Sequence, residues 1–517
     1  MKFHWKVLLW MVAGVLVGLG MQRWLPAPAW SGASWRQAAA GLELVAARGP
    51  AAKARLEVGV VFGEALLWRG SEAEERVPLA GPEDFAALLG RVSNGDVLWL
   101  VPTPGAGTEA QAADEPVSLT VGMEPACARA RWIEPFTFAA DIFLALLKML
   151  IVPLVMSSII TGVAGVGSLT DLRRLGTKTF AYYIFTSLMA ILVGQVLVNL
   201  IQPGKGAMLG LSTEGVVAAG TEESFIDILR RMVPSNIVES MSSNGAMLQI
   251  IFFALLFGYF ITRTPAPHGG RMREWFASLF EVMMRMAEGI LKLLPYGVFA
   301  LLVKVVAGTG FGVFKPLLLY MGTVTAALLV HACLTLPLIV RLLGRMSPRR
   351  WFQAMSPALM TAFSTSSSSM TLPVTLRTVE QRGRVSNKVS SFTLPLGATI
   401  NMDGTALYEC IGVIFLAQYY ASAGGYVLTP TAQATVVILA LLASVGAAGI
   451  PSAGLVMMLT ILSTLGLPIE GAALLLAVDR PLDMLRTVVN VWSDSCGAAI
   501  IARSEGEMGP LEAGAPV

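Results

Sequence analysis

Long apolar stretches separated by short polar clusters run through most of the chain. The first begins after Lys2 and Lys6 and ends near residue 23. Seven more cover about residues 136–166, 179–200, a stretch that ends before 263, 282–306, 317–341, 389–419 and 471–502. A helix needs about 20 apolar residues to cross the ~30 Å hydrocarbon layer. The pattern therefore predicts an all-α multi-spanning membrane protein with eight transmembrane helices.

The basic residues predict an orientation for these helices. They cluster after alternate apolar stretches, for example at Arg173 and Arg174 and again at Arg349 and Arg350. Lys and Arg favour the cytoplasmic side of an inner or plasma membrane. Placing every basic cluster there makes the first six helices alternate in direction and gives a cytoplasmic N-terminus. A cleaved signal peptide over Met1–Trp24 is the alternative for the first stretch.

Two segments break the alternation and predict re-entrant helical hairpins. Residues 351–376 have basic residues on both sides and a polar centre, Ser364–Ser369. A hairpin that enters and leaves from the cytoplasm places the basic residues of both flanks on that side. A serine-rich surface linker is the alternative. Residues 431–442 and 455–465 flank a centre interrupted by glycine and proline, which predicts a second hairpin from the outside. Hairpin–helix units of opposite direction are inverted repeats, which are typical of a transporter binding site.

The last apolar stretch carries polar side chains on one helical face. At about 100° per residue, six of them fall within an arc of about 100°, namely Asp479, Asp483, Arg486, Thr487, Asn490 and Asp494. A charge at the membrane centre costs about 2.5–3.5 kcal/mol, so this face must line a polar interior. One arginine cannot neutralise three aspartates, and the remaining charge predicts bound cations. A structural salt bridge between Arg486 and a neighbouring aspartate is the alternative.

A second polar group lies in the stretch before the second hairpin. Residues 399–405 read Thr-Ile-Asn-Met-Asp-Gly-Thr, and glycine beside polar residues predicts a broken helix with free carbonyls. Hard cations bind carboxylate, amide and carbonyl oxygens. Asn401, Asp403 and Asp494 supply such oxygens without histidine or thiolate. The sequence therefore predicts sodium rather than a transition metal.

Composition argues against several other classes of protein. Charged residues make up 14% of the chain, against about 25% in soluble domains. A net charge of +3 is too small to indicate nucleic-acid binding. The four cysteines and three histidines lack metal-ligand spacing, and no G-x-x-x-x-G-K-[ST] phosphate-binding motif occurs. The polar residues lack a nucleophile–base pair, so we expect neither an enzyme nor an organic cofactor.

Four motifs occur in order in the second half of the chain: Ser366–Thr375, Gly397–Tyr408, Ala448–Gly454 and Asp483–Asn490. Together with residues 148–153, they resemble the dicarboxylate/amino acid:cation symporters, the family of glutamate and aspartate transporters. The resemblance covers about residues 1–23 and 136–505. It implies a homotrimer in which a mobile transport domain carries its substrate across the bilayer like an elevator.

The resemblance also divides the chain into parts. These are the first transmembrane helix (1–23), an extracytoplasmic insertion (24–135), the remaining scaffold helices with the third and sixth spans (136–348), the transport-domain core (349–505) and a disordered tail (506–517). The insertion replaces a short loop of the family. Within it, Leu56–Trp68 and Asp96–Val101 read as strands and Pro82–Val92 reads as a helix. We expect a small α+β domain there.

By matched position, the resemblance assigns a substrate pocket and cation sites. The substrate-binding residues are Ser367, Ser368, Thr405, Ile450, Gly454, Asp483, Arg486, Thr487 and Asn490. In this set Arg486 pairs with the side-chain carboxylate, Asp483 with the ammonium and Asn490 with the main carboxylate. The sodium ligands are Tyr183, Thr186, Ser187, Thr399, Asn401, Asp403, Ser444, Val445, Ala447, Asn490 and Asp494. The resemblance implies three sites: Asn401 with Asp494; Thr399 with Ser444 and the carbonyls that follow it to Ala447; and Tyr183, Thr186 and Ser187 with Asn401 and Asp403. For residues 182–187 alone, ordinary helix packing is the alternative.

Asp483 and Glu409 refine the expected substrate and coupling. A C4 dicarboxylate has no ammonium and would be repelled by Asp483, so L-glutamate or L-aspartate fits better. Glu409 resembles the glutamate that the animal transporters use for proton coupling, and a static hydrogen-bonded acid is the alternative. Relatives place a second arginine near the site, but here those positions are Ser366 and Met484. The competing functions are a proton-coupled C4-dicarboxylate transporter and an anion channel or receptor with an outer sensor domain.

Overall fold

The computed structural model describes residues 3–54, 56–68, 74–92, 96–107, 117–166, 172–207, 209, 230, 232–242, 246–422, 426–446, 453–468 and 470–507. Within these ranges, four helices are long and apolar enough to span a membrane, namely Ala128–Ala164, Arg174–Ile201, Phe314–Leu342 and Asn387–Ser422. The pair His268–Ile290 and Leu294–Gly308, bent by 52°, makes a fifth span if it is counted as one. Other predicted spans coincide with shorter or more polar helices, such as Met247–Arg263 and Glu470–Ser504. The count of eight stays a prediction.

An α+β unit follows the first helix, α1 (Phe3–Trp24). Its strands are β1 (Ala29–Trp30), β2 (Ala33–Ala38), β3 (Gly41–Ala47), β4 (Val60–Trp68), β5 (Glu74–Pro78), β6 (Val97–Gly107), β7 (Val117–Thr120) and β8 (Gly122–Met123). Its helices are α2 (Pro50–Lys53) and α3 (Pro82–Arg91). The two strands and the helix that the sequence predicts correspond to β4, β6 and α3. Strands β3 and β7 also alternate apolar and polar residues but were not predicted, whereas β5, Glu-Glu-Arg-Val-Pro, carries almost no alternation.

The strands of this unit form two antiparallel sheets. The first sheet has six strands, of which five run in the order β2-β3-β4-β6-β7 and the sixth, β5, pairs with β4. Helix α3 packs its buried Phe85 and Leu88 into the core of this unit. The second sheet is a two-stranded ribbon in which β1 faces β8, with Ala29 opposite Met123 and Trp30 opposite Gly122. The chain therefore enters and leaves the unit at neighbouring strands.

The rest of the chain is helical. The helices are α4 (Ala128–Val166), α5 (Leu172–Ile201), α6 (Ile237–Met241), α7 (Met247–Arg263), α8 (His268–Leu291), α9 (Leu294–Thr309), α10 (Phe314–Val330), α11 (Leu336–Leu342), α12 (Pro348–Thr365), α13 (Ser368–Gln381), α14 (Asn387–Ile400), α15 (Asp403–Ser422), α16 (Pro430–Gly446), α17 (Ala453–Thr464) and α18 (Glu470–Ser504). A π-helical turn, His331–Thr335, joins α10 to α11. The centre of this body is α15, which is buried from Asp403 to Tyr420 and contacts α5, α10, α16, α17 and α18.

The span predicted over residues 282–306 is a bent pair of helices in the structure. Helix α8 ends at Leu291, and α9 begins at Leu294 with Pro295 in its first turn. Proline has no backbone N–H to donate and its ring collides with the preceding turn, so an α-helix cannot pass through it undistorted.

Both predicted hairpins are helix pairs in the structure. Helices α12 and α13 pack together, and Ser366 between them adopts a left-handed conformation with φ 51°. Ser367 then caps α13 by accepting a hydrogen bond from the N–H of Met370, at 3.3 Å. Helices α16 and α17 also pack together, and residues 447–452 between them lie outside the described ranges.

Arg129, at the start of α4, ties two helix ends together. Its guanidinium donates to the carbonyl oxygens of Gln22 and Leu25 at 2.8 Å each, at the end of α1, and to that of Ala307 in α9 at 3.3 Å. These carbonyls have no partner further along their helices. A buried arginine thus anchors the point where the chain returns from the α+β unit.

We expect Arg129→Met to lower the thermal unfolding temperature of the purified protein. A hydrogen bond to a charged group contributes about 1.5–3 kcal/mol, and three are lost. The measurement is a thermal scan in detergent. Arg131→Met is the matched control, because Arg131 is exposed. Equal unfolding temperatures for the two variants would contradict the anchoring role.

Candidate functional site

The polar face of α18 is buried inside the helical body. All six predicted side chains expose 4% or less of their surface, namely Asp479, Asp483, Arg486, Thr487, Asn490 and Asp494. Helices α12, α13, α14 and α15 pack against α18. The face therefore lines an interior built from the first helix pair and from the two helices that surround the Asn401–Met402 break.

Arg486 is among the largest fully buried side chains and has three partners. Its Nη2 lies 2.5 Å from Asp483 Oδ1, and its Nη1 lies 3.6 Å from Asp479 Oδ1. Its guanidinium carbon lies 4.4 Å from the centre of the Tyr408 ring, which is a cation–π distance. The salt bridge that stood as the alternative from sequence is therefore present. A carboxylate that entered this pocket would compete with two aspartates for the same guanidinium.

A second arginine contacts the same aspartate. Arg480 Nη1 lies 3.1 Å from Asp483 Oδ2, and the Arg480 side chain is 11% exposed. The expectation of a single arginine among three aspartates is wrong, because two guanidinium groups meet Asp479 and Asp483. Arg480 lies about 100° from Asp479 around the helix, outside the assigned face, but its long side chain reaches back to the carboxylate. The i, i+3 spacing of Arg480 and Asp483 is the signal that the sequence offered.

Asn490 joins α18 to the break between α14 and α15. Its Oδ1 accepts from the N–H of Gly404 at 2.8 Å, and its Nδ2 donates to Thr405 Oγ1 at 3.2 Å. A Cβ at Gly404 would stand 2.6 Å from the carbonyl oxygen of Arg486, so only glycine allows this approach. Thr487 Oγ1 donates to the carbonyl of Asp483 within α18, at 2.8 Å.

The helix pairs supply the other predicted pocket residues. Gly454, at the start of α17, is so close that an added Cβ would stand 2.8 Å from Arg486 Nη1 and 2.9 Å from Thr405 Cγ2. Ser367, which caps α13, and Ser368, its first residue, are both buried. Helix α13 packs against α18. Ile450 lies outside the described residues.

A cluster of oxygen atoms surrounds the break at Asn401. Asn401 Nδ2 donates to Asp494 Oδ1 at 2.8 Å and to Ser493 Oγ at 3.0 Å, and Thr186 Oγ1 donates to Asn401 Oδ1 at 3.3 Å. A Cβ at Gly397 would stand 2.5 Å from Asp494 Oδ1, so this glycine lets α14 approach the carboxylate.

Asp403 holds the other half of this cluster. Its Oδ1 accepts from Ser187 Oγ at 2.7 Å, and its Oδ2 accepts from Ser493 Oγ at 2.6 Å. The Nε2 atom of His331, in the π-helical turn, lies 3.2 Å from Oδ2, and His331 is fully buried. The sequence pattern predicts no role for His331 or Ser493. A histidine inside an apolar stretch was the available signal, since such residues are rare and face a polar interior.

The cluster fits a hard cation better than a transition metal. Apart from the His331 nitrogen, its donors are hydroxyl, amide and carboxylate oxygens, which are the ligands of alkali and alkaline-earth ions. Within the described ranges, no three His, Cys, Asp or Glu side chains gather as they would around a transition metal. Tyr183 lies beside the cluster, and its hydroxyl donates to the carbonyl of Thr393 at 2.8 Å.

The second predicted cation site is described only in part. Thr399 Oγ1 donates to the carbonyl of Leu396 at 2.9 Å, and Ser444 Oγ donates to that of Leu441 at 2.7 Å. Both bonds stay within the residue's own helix, although α14 and α16 contact each other. Val445 belongs to α16. Ala447 lies outside the described residues.

Glu409 is fully buried in α15. Among the described residues, neither of its carboxylate oxygens has a hydrogen-bond partner. The alternative of a static hydrogen-bonded acid therefore has no such bond in the described part of the chain.

Residues 117–504 match the sequence model of the sodium:dicarboxylate symporter family. The chain is 34% identical over 444 residues to excitatory amino acid transporter 1 of Ambystoma tigrinum, covering 74% of this chain and 80% of that protein. It is 35% identical over 421 residues to human excitatory amino acid transporter 3, covering 71% and 79%. It is also 35% identical over 376 residues to the proton/glutamate-aspartate symporter of Escherichia coli (strain K12), covering 71% and 84%.

Proposed function

This chain belongs to the sodium:dicarboxylate symporter family, and we propose that it is a sodium-coupled symporter of the acidic amino acids L-glutamate and L-aspartate. It is an integral membrane protein of a transporter family, not an enzyme. The observation that carries the proposal is the buried Arg486, paired with Asp483, beside the oxygen cluster of Asp403 and Asp494.

The pocket groups match the three charged groups of an acidic amino acid. The planar Arg486 guanidinium can take the substrate side-chain carboxylate through two parallel hydrogen bonds. Asp483 then receives the ammonium, and Asn490 with Thr405 receives the main carboxylate. We propose that Ser367, Ser368, Ile450, Gly454 and Thr487 complete the pocket. The names of the relatives support this substrate class.

We propose that sodium ions bind at three sites, two of which share the oxygen cluster. One is Asn401 with Asp494, another is Tyr183, Thr186 and Ser187 with Asn401 and Asp403, and the remaining one is Thr399, Ser444, Val445 and Ala447. We propose Asn490 as a further sodium ligand. A cation between Asp403 and Asp494 would offset the cost of burying both carboxylates. The Asn490 bond to Gly404 supports coupling, because it links the α18 pocket to the break beside the cluster.

We further propose how the protein works in its membrane. The two helix pairs would dip into the bilayer from opposite sides, and with the broken helix and α18 they would form a domain that moves like an elevator within a homotrimer. The N-terminus would lie in the cytoplasm, and the α+β unit would lie outside the inner membrane. The family membership and the two packed helix pairs support this arrangement.

Uptake into proteoliposomes tests the proposal. Purified protein is given radiolabelled L-aspartate or L-glutamate, with sodium, proton and potassium gradients imposed one at a time. We expect an inward sodium gradient to drive accumulation and an equal choline gradient to drive none. Accumulation driven by protons alone would overturn sodium coupling, and flux without accumulation would favour a channel. Preference for succinate over L-aspartate would favour a C4-dicarboxylate transporter.

Proton coupling through Glu409 is a second candidate property, favoured by its buried carboxyl without hydrogen-bond partners among the described residues. The relative named a proton/glutamate-aspartate symporter also supports it. We expect wild-type uptake to depend on pH and Glu409→Gln to flatten that dependence, because the amide cannot take up or release a proton as the carboxyl does. Glu281→Gln, on the exposed face of α8, is the matched control. An unchanged pH profile in Glu409→Gln ends the idea.

A further inference from the structure

We infer that Arg480 is a specificity-determining residue, which sets how strongly Asp483 discriminates between acidic amino acids and C4 dicarboxylates. The inference rests on the proposed function, since it concerns the same pocket. Arg480 Nη1 lies 3.1 Å from Asp483 Oδ2, and both side chains are largely buried. The charge of Arg480 therefore acts on the pocket, although Arg480 lies outside the polar face of α18.

The two oxygens of Asp483 are shared between the two arginines. Oδ1 pairs with Arg486, at 2.5 Å, and Oδ2 pairs with Arg480, at 3.1 Å. Arg486 has a second anionic neighbour in Asp479, at 3.6 Å. When Arg486 turns to a substrate carboxylate, the substrate ammonium can take its place at Oδ1. Arg480 can stay on Oδ2 throughout this exchange, so Asp483 keeps a counter-charge.

The formal charges of the pocket explain why the contact between Arg480 and Asp483 should affect selectivity. Asp479 and Asp483 are matched by Arg480 and Arg486, so these four groups sum to zero. L-Aspartate brings a net charge of −1, whereas succinate brings −2 and no ammonium. The field of Arg480 acts on that net charge, and it is weakly screened in a buried site. Arg480 therefore aids succinate more than L-aspartate, whose ammonium offsets part of the attraction.

This pocket then admits C4 dicarboxylates as weaker ligands than acidic amino acids. Without the charge of Arg480, the pocket becomes net negative, and Asp483 repels both substrate carboxylates. The ammonium of L-aspartate replaces part of the lost positive charge, but succinate has nothing to replace it. Selectivity for the amino group should rise when Arg480 is neutralised, although absolute affinity falls.

The test compares Arg480→Gln and Arg480→Lys with the wild type in proteoliposomes. The dissociation constant of L-aspartate and the inhibition constant of succinate are measured for each. We expect Arg480→Gln to raise the succinate constant about tenfold more than the L-aspartate constant. Arg480→Lys, with a shorter cation, should change the ratio about threefold in the same direction. Arg503→Gln, exposed at the other end of α18, should leave the ratio unchanged.

Each result of these binding measurements supports or overturns the role inferred for Arg480. Equal shifts for both ligands, or none, would mean that Arg480 only supports the fold, and this overturns the inference. No measurable inhibition of the wild type by succinate overturns it as well. Failure of wild-type L-aspartate uptake is a different result, which removes the proposed function before any variant is made. If Arg480→Gln does not fold, the ratio in Arg480→Lys is sufficient.

Discussion

Substitution of Arg486 by cysteine is expected to abolish transport of acidic substrates almost completely. The guanidinium is 2% exposed and pairs with Asp483 and Asp479. Truncating one partner of a buried charge pair between a protein and its ligand costs about 2–5 kcal/mol of binding free energy. At 1.4 kcal/mol per tenfold, L-aspartate affinity should fall by about 30- to 3,000-fold. Small neutral amino acids such as L-serine should begin to compete, because Asp483 can still bind an ammonium.

Radiolabelled uptake and competition with neutral amino acids measure this change. Arg285→Cys is the matched control, since Arg285 lies on the exposed face of α8 beside Glu281 and Glu288. That variant should transport L-aspartate at the wild-type rate. Retained L-aspartate uptake in Arg486→Cys would show that another group grips the side-chain carboxylate.

The second large effect is expected for Asp403→Asn. The amide keeps the shape of the carboxylate but loses its charge, and at one oxygen position it presents an N–H to groups that already donate. Ser187 and Ser493 donate to the two oxygens, and His331 lies 3.2 Å from Oδ2. We expect the sodium concentration for half-maximal binding to rise by about tenfold or more, which corresponds to about 1.4 kcal/mol.

Sodium-dependent thermal stabilisation measures this loss without relying on transport. A ligand that binds only the folded protein raises its unfolding temperature. The wild type should therefore unfold at a higher temperature in sodium than in choline, and Asp403→Asn should lose most of that difference. Asp141→Asn is the control, because Asp141 is exposed and pairs with Lys304 on α9. An undiminished sodium effect in Asp403→Asn would remove Asp403 from the proposed cation site.

The main features of the pocket could be predicted because they follow from helical periodicity. The polar positions of α18 share one face, and a membrane protein cannot leave such a face in hydrocarbon. Breaks in helices were also predictable, since the polar segment at Asn401 and the serine run before α13 interrupt apolar sequence. The family membership was predictable for a different reason, the four ordered motifs, and the sequence match to residues 117–504 confirms it.

The features that sequence reasoning missed depend on long side chains and on distant contacts. Arg480 starts outside the polar face and enters the pocket only because its side chain reaches Asp483. His331 meets Asp403 from a helix 72 residues earlier in the chain, and no local pattern records that contact. The charged edge strand β5 is specified by its pairing with β4 rather than by hydrophobic alternation.

The paired strands β1 and β8 have a consequence for how the α+β unit relates to the rest of the protein. Neighbouring strands lie about 4.8 Å apart, so the two ends of the unit lie side by side. A domain whose two ends are neighbours can be inserted into a protein or removed from it with little change elsewhere, because a short turn can join the same two points. Arg129, soon after β8, bonds to both α1 and α9, so a structural change in the unit would have a direct route to these two helices.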